Sequence, residues 1–226
     1  MSIFITADLH LNHYHILELE KKNLASAGLS YIQSVSQYNE MIIRRINSQV
    51  RSGDTLYILG DFVFGGVENL AKFAPKIHGR KILIMGNHDT ETYSIADAFK
   101  AGFSEVYNHP IYLPGTNGKV ILSHFPAKEA YDNPYIVYNL HGHIHGGYLD
   151  LQGYKNVNIS MTGYYPLNYD TIRSQVEHSG RNRNEKWLEE WYADKQIFQQ
   201  CDTNSMILDS SGRLLVKESK KFCHKD

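Results

Sequence analysis

Residues 81–89 read Lys-Ile-Leu-Ile-Met-Gly-Asn-His-Asp, a short apolar run that stops at a glycine and passes straight into three polar side chains able to bind a metal. Lys81–Met85 has the length and the Ile/Leu content of a strand buried on both faces. The same pattern recurs along the chain. Ile3–Ala7 leads to Asp8 and His10, and Thr55–Leu59 leads to Gly60-Asp61. Lys119–Ser123 leads to His124, and Tyr135–Leu140 leads to His141-Gly-His-Ile-His145. Asn156–Ser160 reads as a sixth strand.

Helical periodicity fills the gaps. Tyr38, Met41, Ile42, Ile46 and Val50 recur at three- and four-residue spacing, with Gly53 as a stop. Val67, Leu70, Ala71 and Phe73 form a second such set, and Ile95–Ala101, ended by Gly102, a third. Residues 111–123 carry the turn Pro114-Gly-Thr-Asn-Gly118 between apolar runs and read as a hairpin. Interleaved strands and helices predict an α/β fold, a layered β-sandwich flanked by helices, rather than a bundle or an all-β barrel. In such sheets, loops at the carboxyl ends of strands converge on one face. The polar clusters are therefore expected to meet there.

Composition narrows the function classes. The 226 residues carry 23 Lys+Arg against 24 Asp+Glu, a formal charge of -1. A chain that works by neutralising nucleic-acid phosphates or by clinging to anionic lipid should be more basic, so long duplex nucleic acid and membrane are not expected partners. No apolar run approaches the roughly 18 residues of a membrane span. The N-terminus meets Asp8 too early for a secretory signal. With 2 cysteines, Cys201 and Cys223, far from the polar clusters, free thiols in a reducing cytoplasm are expected. The 12 histidines stand out, because six of them crowd into residues 10–15 and 141–145.

Singly, the clusters say little. Asp-x-His and Gly-Asp are common at surfaces and turns, and a lone histidine is more often structural than a ligand. Three alternating imidazoles in His141-Gly-His-Ile-His145 are harder to explain by packing. All five clusters at the same ends of their strands are harder still. Carboxylate, imidazole and amide donors together suit Mn, Fe, Zn or a similar divalent ion rather than a thiolate site.

In order, the clusters read Asp8-Leu-His10, Gly60-Asp61, Gly86-Asn-His-Asp89, His124 and Gly142-His-Ile-His145. That series resembles the calcineurin-like metallophosphoesterases, and most of all their short stand-alone bacterial and phage members, whose first motif extends to a second histidine, here His13. The resemblance covers residues 1–173. It implies a four-layer αββα fold, with residues 174–226 as an appendage. It also implies two divalent ions, manganese first, with iron, zinc, nickel or cobalt as alternatives. Asp8, His10, Asp61 and His145 would hold one ion, and Asp61, Asn87, His124 and His143 the other, with Asp61 bridging.

Two such ions about 3.5–4 Å apart acidify a shared water for in-line attack on phosphorus. His88 would act as the catalytic proton donor to the leaving oxygen. The implied activity is hydrolysis of a phosphomonoester or phosphodiester on a small substrate, such as a nucleotide. A nuclease or cyclic-nucleotide phosphodiesterase is the nearer alternative, and a non-catalytic interaction scaffold the remote one.

Three residues keep open readings. Asp89 either orients His88 or caps the turn that follows. His13 either touches substrate, supports His10 from behind, or is a surface residue. His141 is expected to be structural. In the protein-phosphatase branch the second motif runs G-D-x-x-D-R-G. Here Phe64 and Gly65 replace its acid and arginine, which argues against a protein-phosphatase role. Beyond residue 173, Glu185–Gln200 reads as a helix with Trp187 and Trp191 on one face, a packing surface or lid. Met206–Leu208 and Leu214–Lys217 read as a small hairpin.

Overall fold

A computed structural model describes residues 1–178, apart from 134, 148 and 150–152, together with two short strands near the C-terminus. From the N-terminus run β1 (Ile3–Thr6), α1 (Ile16–Leu19), α2 (Lys21–Ser26), α3 (Val35–Gln49), β2 (Thr55–Ile58) and α4 (Gly66–Phe73). Next come β3 (Arg80–Ile84), α5 (Asn87–Thr92), α6 (Ile95–Lys100), β4 (Glu105–Tyr107), β5 (Ile111–Tyr112) and β6 (Val120–Ser123). They are followed by α7 (Lys128–Asp132), β7 (Tyr138–His141), β8 (Tyr154–Asn156), β9 (Leu167–Asn168) and α8 (Asp170–His178). The last pair is β10 (Ile207–Leu208) and β11 (Leu214–Leu215).

Two sheets carry the fold. One has the order β4-β3-β2-β1-β9 and the other β5-β6-β7-β8. Strands β1 to β4 pair parallel, as do β6, β7 and β8, while β9 and β5 close their sheets antiparallel. Strand periodicity of two then sorts the side chains into layers. Phe4, Leu56, Ile58 and Leu83 face outward onto Ile42 and Ile46 of α3. Their neighbours Ile5, Tyr57, Ile82 and Ile84 face inward, onto Val120, Leu122 and Leu140 of the second sheet. Ile121 turns to the far side, beneath Ala127, Ala130 and Ile136. Helix, sheet, sheet, helix is the four-layer arrangement the sequence implied. Each such Leu or Ile, fully withdrawn from water, contributes about 1.5–3 kcal/mol.

Helix α3 starts where Ser34 accepts the backbone N–H of Gln37 at 3.2 Å, a Ser N-cap. The hairpin expected at 111–123 forms, with Ile111 opposite Leu122. So does the small pair near the C-terminus, with Ile207 opposite Leu215. The helix expected at Glu185–Gln200, with Trp187 and Trp191, lies outside the described residues, as do Cys201 and Cys223. Helix α8 spans the boundary expected at 173, and its Ile172 and Val176 are buried in one cluster with residues of both sheets.

Other differences have local causes. The strand expected at Asn156–Ser160 ends at Asn156. The Asn156 side chain accepts from the N–H of Asn158, and that of Asn158 from the N–H of Ser160, each at 2.9 Å. Such Asx turns compete with ladder pairing. Likewise Tyr135–Val137 precedes β7 rather than joining it, because Asn133 accepts the N–H of Tyr135 at 3.0 Å. Among the described residues no helix is long and apolar enough to cross a membrane.

Candidate metal centre

The first two polar loops are zipped together. Asp8 N–H donates to the Gly60 carbonyl at 3.0 Å, His10 N–H to Asp61 O at 3.0 Å, and Leu11 N–H to Phe62 O at 3.1 Å. Asp8 and His10 are thereby set against Asp61. Five of the expected ligands hold left-handed backbone: Asp8 (φ 55°), His10 (45°), Asp61 (52°), His143 (68°) and His145 (47°). Each such residue costs about 1–2 kcal/mol. Strain of this kind persists only where the surrounding structure imposes it, and it gathers at functional sites.

The carboxylates sit at the centre. Both oxygens of Asp8 lie 3.0 Å from the N–H of His143. Asp61 Oδ1 accepts from the N–H of His88 at 3.1 Å. Asp61 Oδ2 stands 3.9 Å from His10 Nε2 and 3.6 Å from His124 Nε2. Two groups therefore have donor atoms all within 4.8 Å of one another: Asp8, His10 and Asp61, and Asp61, His124 and His143. Asp61 belongs to both.

This donor set fits divalent cations. His10 is buried with neither ring nitrogen hydrogen-bonded, a state that costs about 1–3 kcal/mol per unmatched group unless something else satisfies it. Burial pushes Asp8 up to about 8. Burial, reinforced by the charges of Asp89 and Asp8, pushes Asp61 well above the usual carboxylate range. Burial also holds His10 and His124 well below the usual imidazole range and lowers His143 to about 3. The site thus offers neutral imidazole lone pairs beside carboxylates that ionise readily only with positive charge at hand.

His124 shows the same preference. Its Nδ1–H donates to the Leu59 carbonyl at 2.8 Å, which leaves Nε2 as a lone pair. That lone pair faces Asn87 Oδ1 at 3.0 Å. At that distance the two atoms could meet one cation. His145 stacks on His10, rings 4.9 Å apart and 3° from parallel. Its loop is tied by the Asn156 amide, which donates to the carbonyls of His145 at 2.8 Å and Gly147 at 2.9 Å. Gly86 is required by contact: a Cβ there would stand 2.3 Å from Asp61 Oδ1 and 2.9 Å from His124 Cε1.

His88 and the expected ligand His145 both stand outside these two groups, and the His88 ring lies 5.9 Å from that of His10. Asp89 does not orient it. The Asp89 carboxylate is fully buried and accepts from the N–H groups of Asp61 (2.8 Å), Phe62 (2.9 Å) and Gly86 (2.9 Å), and from the Tyr93 hydroxyl. It anchors two loops. The acid beside His88 is Glu91, with Oε2 3.7 Å from His88 Nδ1.

His13 lies edge-on to Phe64 at 4.0 Å, and its Nδ1 accepts from the N–H of His15 at 3.1 Å. It flanks His10, ring to ring at 5.9 Å, without hydrogen-bonding it. His141 is buried and turned to the Gly142 carbonyl at 3.0 Å, a structural role as expected. Glu91 and Asn156 escaped the sequence reading. Asn139 did too: it is buried in β7 and accepts the Ala127 N–H at 2.7 Å, bracing the loop that carries His124. A polar residue within the apolar run Tyr135–Leu140 was the available signal for Asn139.

The chain is similar to known proteins. An uncharacterized protein of Methanocaldococcus jannaschii is 27% identical over 187 residues, 77% of this chain and 91% of its own length. The Gene 66 protein of Mycobacterium phage L5 is 31% identical over 138 residues, 54% of this chain and 62% of its own. A crystal structure of a protein of unknown function from Aquifex aeolicus superposes with a TM-score of 0.56 at 24% identity, over 77% of this chain and 98% of that one, a likeness of fold. The family profile for calcineurin-like phosphoesterases matches residues 1–219. A match across nearly the whole chain, on a four-layer fold with its Asp and His residues gathered at the strand ends, places this protein in the calcineurin-like phosphoesterase family.

Proposed function

We propose that this protein is a dinuclear-metal phosphoesterase that hydrolyses a phosphomonoester or phosphodiester of a small substrate. The observation that carries this reading is Asp61, one buried carboxylate common to both donor groups. Asp8, His10, Asp61 and His145 would hold one cation, and Asp61, Asn87, His124 and His143 the other. When bound, such cations acidify a water and offset charge on the phosphoryl oxygens. Manganese suits the mixed carboxylate and imidazole donors.

The protein's own groups supply the rest. Asp8 fixes the His143 loop through its backbone N–H, so a donor from the second sheet is registered on the first. Asp61 receives the His88 N–H and so sets where the His88 ring begins. The His88 side chain keeps 27% of its surface open, enough to reach a leaving oxygen. Burial lowers its pKa, with the charges of Glu91 and Asp89 offsetting part of that, so its imidazolium is a stronger acid than an ordinary one.

The test is metal-stripped protein, reconstituted with Mn²⁺ and offered an aryl phosphate monoester and diester. Turnover should appear with metal, vanish with chelator, and be absent in Asp61→Asn. Asparagine there still accepts the His88 N–H, so the fold should survive. Activity indifferent to chelator would refute the two-metal reading.

A further inference from the structure

Phe64 is an apolar ring among imidazoles. Its centroid lies 4.7 Å from His88, 4.0 Å from His13 and 5.5 Å from His10. The backbone that carries the ring is held on both sides. Phe64 N–H donates to Leu11 O at 2.8 Å, and Phe64 O accepts the Asn69 amide at 2.8 Å. The chain then turns through Gly65 in left-handed backbone, φ 88°. His13 continues the line outward and stacks on Tyr14 at 5.4 Å and 7°. Tyr14 is 76% exposed. The rim of the site is thus a row of flat rings from His88 to solvent, held by backbone hydrogen bonds on two loops.

We propose that Phe64, continued by His13 and Tyr14, is the specificity-determining wall of this site and selects phosphoesters whose leaving group carries an aromatic ring close to the phosphorus. The inference rests on the phosphoesterase reading, in which His88 marks the leaving-group side. A polyol leaving group pressed on Phe64 would give up hydrogen bonds to water and gain none. A flat ring gains stacked or edge-on contact and displaces that water. Phe64 acts on binding of the leaving group, while the metal ligands act on phosphorus.

The test uses phosphonates, which cannot be hydrolysed, so binding is read apart from turnover. Benzylphosphonate and ethylphosphonate are titrated calorimetrically into Mn²⁺-loaded wild type, Phe64→Ala and Phe64→Leu. Wild type should bind the benzyl compound about tenfold more tightly. Phe64→Ala should reduce that preference to within about twofold, with ethylphosphonate affinity changed less than about threefold. Phe64→Leu keeps volume but not the flat ring, and should fall between. Equal wild-type affinities, or equal loss of both ligands in Phe64→Ala with metal still bound, would overturn the proposal. A retained ring preference in protein that hydrolyses no phosphoester would sink the esterase reading and leave the aromatic wall standing.

Discussion

The buried carboxylate of Asp89 accepts the backbone N–H of Asp61 at 2.8 Å, so the shared residue of the candidate metal centre is positioned by an acid that touches no ligand atom. The same carboxylate binds the N–H groups of Phe62 and Gly86. One side chain thereby locks the loop after β2 to the loop after β3. Asp89→Ala would leave those three N–H groups and the Tyr93 hydroxyl buried without their acceptor. The expected loss is about 3–5 kcal/mol of stability. Chemical denaturation should show it with and without metal; a loss under 1 kcal/mol on this scale would rule out the anchoring role.

Gly86 offers a purely steric test, because its backbone conformation suits any residue. A methyl group there would sit 2.3 Å from Asp61 Oδ1 and 2.7 Å from Asp61 N. Gly86→Ala should displace Asp61 and lower kcat/KM about a hundredfold or more. Metal titration should show weakened binding in the same variant. Unchanged activity would mean the loop yields at little cost.

Metal-free protein should lose stability as pH rises from about 7.5 to 8.5. The folded-state pKa of Asp8 is raised to about 8 by burial. Above the ordinary carboxylate range the unfolded chain therefore holds fewer protons than the native one, and stability falls with pH until the native Asp8 titrates. The lowered histidines act oppositely, since the native state binds fewer protons than the unfolded chain. Their effect fades only once the unfolded imidazoles are neutral, about one unit above their pKa of about 6.5. Thermal unfolding in chelator across this window should show the decline. Saturating Mn²⁺ at about 100 times its Kd should add about 2.7 kcal/mol and flatten it.

His88→Ala should keep its metal and lose about 10²–10⁴ in turnover of esters with poor leaving groups. Esters with good leaving groups, which need no proton, should suffer much less. Glu91 raises the His88 pKa from 3.7 Å away. Glu91→Gln should therefore move the alkaline limb of the pH–rate profile to lower pH, because the proton donor must be charged to act. A limb that stays in place would show that Glu91, which is largely exposed, does not tune His88.

Much of this was written in the chain itself. Apolar runs such as Ile82–Ile84 are short, branched and bounded by glycine, so they can only be strands buried on both faces. The polar residues after them had to fall at one end of a parallel sheet. That alone brings Asp8 and Asp61 together at the ends of β1 and β2, since direction and strand length are local properties, whereas His124 follows β6 of the second sheet and meets them only because the two sheets pack. The helices α1, α2, α5 and α7, of four to six residues each, escaped, and so did the nine-residue α8, while the equally short α6 was legible because Gly102 marks its end. The work of Asp89 and Glu91 depended on contacts across loops. Adjacency to His88 suggested Asp89 as its partner, but helical geometry at α5 turns Asp89 inward to the backbone of Asp61 and Phe62, while Glu91 comes back to the imidazole. The sequence by itself determined the alternation of strands and helices, through periodicity, and placed polar motifs at the strand ends; the four-layer order and the expected ligand set came from the resemblance those motifs carry. Only the tertiary structure decided which acid holds the backbone, which faces the histidine, and that Phe64 stands at the mouth, because those roles are set by distances between segments that local chemistry does not encode.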